Sequence, residues 1–308
     1  MSTSEGEDAW LASAFTAFEQ GARVVLGLGH DVAAVQLDSS VAVVTNDVLI
    51  DGVHFDLTQH APADVAWKAL GVNLSDLAAA ASEPVGFVVG AVLPAPVSRE
   101  LFDALMAGFA EASARAGCPC LGGDTNVASG PLTLSVTALG RPGPMGVLSR
   151  AGAQVGDRLS VTGPLGGSLA GRHLHVRPRN AAALTLARHE IPHAMMDLSD
   201  GLARDLPRLC QRSGVGARID AAAIPVHADV TATAEPDRLR AALGDGEDFE
   251  LLVAHAALSE ATRETLEHEG VSLHEIGEVV GAAEGLRLIE AGEPRSWPEG
   301  GFDHVGSA

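Results

Sequence analysis

The first half of the chain alternates short apolar runs with apolar positions at helical spacing. Residues 8–20 read as a short amphipathic helix. Val24-Val25-Leu26 is an apolar strand that runs into Gly27-Leu28-Gly29-His30-Asp31. Val41 to Thr45 is a second strand, followed by Asn46 and Asp47. Over 62–82, Val65, Ala69, Leu70, Leu74, Leu77 and Ala78 recur as on one side of a helix. Val85 to Leu93 reads as a strand, and 98–116 as a helix that stops near Gly117. Leu132 to Ala138 alternates strictly. Leu132, Leu134, Val136 and Ala138 face a core, and Thr133, Ser135 and Thr137 face away.

Between 141 and 157 the text changes to Gly- and Pro-rich punctuation, the mark of a loop or domain junction. The second half restarts with a strand from Arg158 to Thr162 and a Gly-rich turn, Gly163-Pro164-Leu165-Gly166-Gly167. A helix is expected over 199–212, and short strands near 215–219, 249–254, 272–280 and 285–290. The pattern predicts an α/β (α+β) protein with two domains, 1–145 and 146–308.

Composition narrows the function classes. Hydrophobic residues make up 46 % of the 308 residues and charged residues 19 %, which excludes wholesale disorder. Twenty Lys and Arg against 40 Asp and Glu give a net charge of −20, so no basic face for nucleic acid or an anionic membrane is expected. Three cysteines, Cys118, Cys120 and Cys210, form no disulfide framework or zinc knuckle and read as buried thiols. The N-terminus has no signal-peptide pattern, and the longest uncharged apolar stretch, Pro84 to Ser98, is broken by prolines. A soluble cytoplasmic protein is expected.

Neither GxxxxGK[ST] nor GxGxxG occurs, so a bound nucleotide needs another device. The candidates are aspartates at the ends of apolar segments: Asp31, Asp47, Asp124, Asp197 and Asp200. Brought to one rim, such carboxylates repel unless cations lie between them, and all-oxygen ligands suit Mg²⁺. Taken singly, each is equally a turn or cap residue. Asp76 lies inside a helical stretch, where positions 69, 73, 76 and 80 share a face reading Ala, Asn, Asp, Ala. Asp and Asn are weak helix formers, so a metal ligand is one reading and a solvated face the other. Ser199 is placed to cap the helix after it. Gly123 lets backbone N–H groups approach a phosphate, or simply makes a tight turn.

The ordered series of segments resembles the thiamine-monophosphate kinase family, within the aminoimidazole-ribonucleotide-synthetase-like superfamily. It comprises Gly27-Leu-Gly-His-Asp, Thr45-Asn-Asp-Val-Leu-Ile-Asp-Gly-Val-His-Phe and Lys68-Ala-Leu-Gly-Val-Asn-Leu-Ser-Asp. Gly122-Gly-Asp-Thr, Ser149-Arg-Ala-Gly-Ala, Asp197-Leu-Ser-Asp-Gly and Gly246-Glu-Asp-Phe-Glu follow. The resemblance implies transfer of the ATP γ-phosphate to thiamine monophosphate, giving thiamine diphosphate and ADP. It implies several Mg²⁺ ions at Asp31, Thr45, Asn46, Asp47, Asp76, Asp124, Asp197 and Asp200. It also implies nucleotide contacts at Gly123, Asp124, Arg150 and Ser199, and substrate contacts at His54, Glu247 and Phe302. A homodimer pairing its N-terminal sheets is implied too.

Three departures stand out. His30 replaces the first aspartate of a Gly-Asp-Asp run, Asn46 replaces a threonine, and the chain has no tyrosine. His30 keeps a second reading open, a catalytically weak nucleotide-binding sensor. Another ATP-dependent reaction of the same superfamily is the third.

Overall fold

The computed structural model describes residues 22–27, 29–231, 235–298 and 300–301. The helix expected over 8–20 and the substrate contact expected at Phe302 lie outside the described residues.

The N-terminal sheet is built from β1 (Val24–Leu26), β2 (Ala33–Leu37), β3 (Ser40–Ile50), β4 (Ser82–Pro94), β5 (Cys120–Ala128) and β6 (Thr133–Pro142). Their order across the sheet is β1-β2-β3-β6-β4-β5, with only the β4–β5 edge pair parallel. Helices α1 (Pro62–Ala79) and α2 (Arg99–Ala116) pack together beneath it. The alternation expected in β6 is observed: Leu132, Leu134, Val136 and Ala138 are fully buried. They meet Leu70 and Leu77 of α1 and Phe87 of β4 in one core.

Helix α1 begins with Pro62 at its first turn, where the missing N–H costs nothing. It is buried almost all round because a sheet, α2 and the second domain cover it. Helix α2 is capped by Ser98, whose side chain accepts the Leu101 amide, and stops at Gly117 in the left-handed conformation.

The second sheet comprises β7 (Arg158–Val161), β8 (Pro192–Asp197), β9 (Val215–Asp220), β10 (Leu251–His255), β11 (His274–Gly281), β12 (Leu286–Glu290) and β13 (Glu293–Ser296). Their order is β13-β12-β9-β11-β7-β10-β8, and only β12–β9 is parallel. Helix α3 (Asn180–Arg188) covers one face with Leu186, against Met195, Leu251 and Val253. Helix α4 (Leu202–Ser213) covers the other with Leu206 and Leu209. Ala78, Ala79 and Ala81, at the end of α1, share the core under α3 and so join the two domains.

The structure corrects four sequence expectations. Asp47 lies inside β3, not beyond it, because the strand continues through Val48, Leu49 and Ile50. Gly122-Gly123-Asp124 is extended edge strand, not a turn. A Cβ on Gly123 would fall 2.0 Å from the carbonyl oxygen of Val89, so close packing between strands accounts for this glycine. Helix α4 begins after Gly201 without a side-chain cap, so Ser199 is not its cap. Among the cysteines, Cys118 and Cys210 are buried but Cys120 is exposed, because β5 lies at the sheet edge.

Candidate active site

Strand β3 and helix α1 make the first half of the site. The two-residue period of β3 turns Thr45, Asp47 and Leu49 toward α1. The Thr45 hydroxyl donates to Asp76 Oδ2 and fixes that carboxylate. The same period sends Asn46 to the opposite face of the sheet. There its amide donates to Ser135 Oγ at 3.0 Å and Thr137 Oγ1 at 2.8 Å. Asn46 therefore lies on the other side of the sheet from Thr45 and Asp47, because adjacent strand residues cannot share a face.

The other half comes from the second domain and the loop before β2. Asp197 ends β8 and accepts a 2.5 Å hydrogen bond from Ser75 Oγ of α1. Asp31 is held by Arg150 in a bidentate ion pair, with Nε to Oδ2 at 2.9 Å and Nη2 to Oδ1 at 2.8 Å. Carboxylate oxygens of Asp31, Asp76 and Asp197 all lie within 4.8 Å of one another. Three segments distant in sequence thus deliver three carboxylates to one point, each already oriented by Arg150, Thr45 or Ser75.

The electrostatics of this cluster are unfavourable without a counter-charge. Asp76 is pushed well above the ordinary carboxylate range, first by desolvation and then by repulsion from Asp47, Asp197 and Asp31. Asp197 is pushed up by burial and by Asp31. Burial raises Asp47 to about 6, and its Oδ2 is buried without a hydrogen-bond partner. A carboxylate-only donor set with an orphaned buried oxygen fits a hard divalent cation such as Mg²⁺.

The remaining predicted residues fall elsewhere. Asp47 pairs across the sheet with Val136, Val136 with Val89, and Val89 with Gly123. Gly123 and neighbouring Asp124 are therefore three strand spacings from Asp47, about 14 Å. Asp124 is exposed and accepts from the Asn126 amide. Asp200 is bound to Arg208 at 2.6 Å. Arg150, expected on nucleotide, is engaged by Asp31. His30 is not among the three clustered ligands. Its pKa is lowered by burial and by Arg212.

Asp47 also lines a cavity of about 540 Å³ that reaches His54, Ser199, Asp200 and Glu247. Lys68 and His173 are among its residues that carried no role in the sequence reading. Lys68 of α1, 1 % exposed, donates to both Glu247 carboxylate oxygens at 2.7 Å and to the His54 carbonyl at 2.6 Å. His173 enters from the segment 168–176, which leaves the second domain and packs on α1 through Trp67 Nε1–H to the Val176 carbonyl at 2.9 Å. Lys68 was visible only as part of a motif. His173 had no local signal, because the segment that carries it is irregular.

Residues 29–141 match the family model for the AIR synthase related protein N-terminal domain, and 145–288 that for the C-terminal domain. The thiamine-monophosphate kinase of Rhodopirellula baltica is 35 % identical over 291 residues, covering 90 % of this chain and 91 % of that one. The thiamine-monophosphate kinase of Escherichia coli K12 is 34 % identical over 304 residues, covering 91 % and 92 %. The solved structure of AaThiL complexed with AMPPCP and TMP superimposes with a TM-score of 0.79 at 27 % identity, over 97 % of each chain. With the two-domain architecture and the carboxylate site in place, these likenesses make the chain a member of the thiamine-monophosphate kinase family, which are ATP-dependent phosphotransferases.

Proposed function

We propose that the chain transfers the γ-phosphoryl group of ATP to thiamine monophosphate in a Mg²⁺-dependent reaction, giving thiamine diphosphate and ADP. The observation that carries this reading is the convergence of Asp31, Asp76 and Asp197 beside a cavity that shares Asp47 with them. The AMPPCP and TMP held by AaThiL support ATP and thiamine monophosphate as the two substrates. Asp31, Asp76 and Asp197 are assigned as the residues that would hold Mg²⁺, with Asp47 beside them. A bound Mg²⁺ supplies neutralisation of charge on phosphate oxygens. The acceptor is itself a phosphate, so no general base has to remove a proton from a hydroxyl. That agrees with a site whose nearby polar groups, Thr45, Ser75 and Arg150, orient carboxylates and abstract nothing. Ser199, at the cavity wall, is assigned a phosphate contact, and His54 and Glu247 line the acceptor region. The expected outcome with purified protein, ATP, Mg²⁺ and thiamine monophosphate is ADP and thiamine diphosphate in equal amounts. Excess EDTA should abolish both. ADP without thiamine diphosphate would overturn the acceptor.

The quaternary partner is proposed to be a second copy. The sheet face away from α1 exposes Val48, Val88 and Val92, and the edge strand adds Leu121 and Val127. A sheet face that exposes valines among Asn46, Ser135 and Thr137, with an edge strand unpaired among the described residues, is a surface that chains cover. Arg at both Val48 and Val92 is expected to turn a dimer into a folded monomer in sedimentation equilibrium. An unchanged mass would place the contact elsewhere. The described residues include no helix long and apolar enough to cross a membrane. We assign the chain to the cytoplasm, where ATP and Mg²⁺ are at hand.

A further inference from the structure

Lys68 of α1 lines the cavity, and Asp76, whose carboxylate lies against that of the cavity-lining Asp47, sits eight residues later, about 12 Å along the helix axis. Near Lys68 the wall carries His60 and His173, whose rings meet edge-on with centroids 5.6 Å apart. Backbone hydrogen bonds fix both tautomers. His173 Nδ1 lies 3.2 Å from the Ser168 carbonyl, which can only accept, so Nδ1 carries the proton and Nε2 is a bare acceptor. His60 Nδ1 accepts the Asp56 amide at 3.0 Å, so its proton is on Nε2, a donor. The Lys68 ammonium spends its three hydrogens on Glu247 and His54, so it offers no further N–H to an anion here. Burial, reinforced by Lys68, lowers His173 to about 4 and keeps it neutral.

A ring-nitrogen acceptor on His173 and an N–H donor on His60 match a heterocycle edge with an amino group next to a ring nitrogen. We propose that His173 Nε2 and His60 Nε2–H read the aminopyrimidine edge of the acceptor substrate, at the end of the cavity away from the Asp31–Asp76–Asp197 cluster. Both are specificity residues that act on binding, not on transfer. The proposal rests on thiamine monophosphate being the acceptor.

The test is equilibrium binding, independent of turnover, of thiamine monophosphate and of its analogue with oxygen in place of the amino group. Wild type is expected to bind the amino compound about 10-fold or more tightly, the cost of a mismatched buried polar group. In His173→Phe, which keeps the ring, the preference should fall to within about threefold. The acceptor KM should rise while kcat and the KM for ATP hold. His60→Phe, on a more exposed loop, should lose part of the same preference if the first variant folds poorly. Equal binding of the two compounds by wild type, or undiminished preference in the variants, would overturn the subsite. A preference that depends on His173 without phosphoryl transfer would uphold the subsite and defeat the proposed reaction.

Discussion

Asparagine in place of Asp76 is expected to lower kcat by at least about 10²- to 10³-fold and to make the metal-free protein more stable. The two effects have one cause. Asp76 lies against Asp47, Asp197 and Asp31, and all of these push its pKa upward. A cation turns that repulsion into attraction; without one, a neutral amide of the same shape relieves it. The Thr45 hydroxyl can still donate to the amide oxygen, so the helix has no reason to shift. The metal-free melting temperature should rise by roughly 1–2 °C, the equivalent of about 1 kcal/mol in a chain of this size. Added Mg²⁺ with ATP should stabilise wild type and leave the variant unmoved. Full activity in a folded Asp76→Asn protein would remove the cluster from the reaction.

Methionine at Lys68 is expected to cost about 3–5 kcal/mol of stability and to raise the acceptor KM. Lys68 is buried, and its three donors meet three acceptors. Desolvation lowers its pKa, and Glu247 opposes that shift by stabilising the ammonium. Removing it leaves Glu247 without its counter-ion on a turn where Gly246, Glu247 and Phe249 all have positive φ. It also unties α1 from the second domain at the cavity. Adding Glu247→Gln should restore much of the stability, because neither charge is then stranded, but not the KM. Urea denaturation of the two single variants and the double variant measures this coupling. Additive losses would show that the pair is not a unit.

Most strands were legible in the sequence as short apolar runs or as two-residue alternation, as in Leu132 to Ala138, whereas β2, β5, β8 and β13 carried no strand reading. Helix α1 was legible for the same kind of reason, although its Asn73 and Asp76 argue locally against a helix. The site was partly legible. Asp31, Asp76 and Asp197 follow from the ordered motifs, and the structure does bring them together. Asn46 and Asp124 lie apart from the carboxylate cluster because a motif is linear while a strand sends neighbours to opposite faces and a sheet spreads its strands sideways. Arg150, Ser75 and Lys68 act through partners 119, 122 and 179 residues away, so no local pattern could reveal them. Gly123 shows the converse: a residue that looks like a phosphate loop is explained by the backbone beside it.

The central claim is that the carboxylates of Asp31, Asp76 and Asp197 hold a divalent cation where phosphates meet. The most direct measurement is a crystal structure with Mn²⁺ and a non-hydrolysable ATP analogue, using anomalous scattering to locate the ion. The account predicts anomalous density between those three side chains, in contact with phosphate oxygens, and its loss in Asp76→Asn. Nucleotide bound with Mn²⁺ only at other acidic residues, and none between these three, would contradict it.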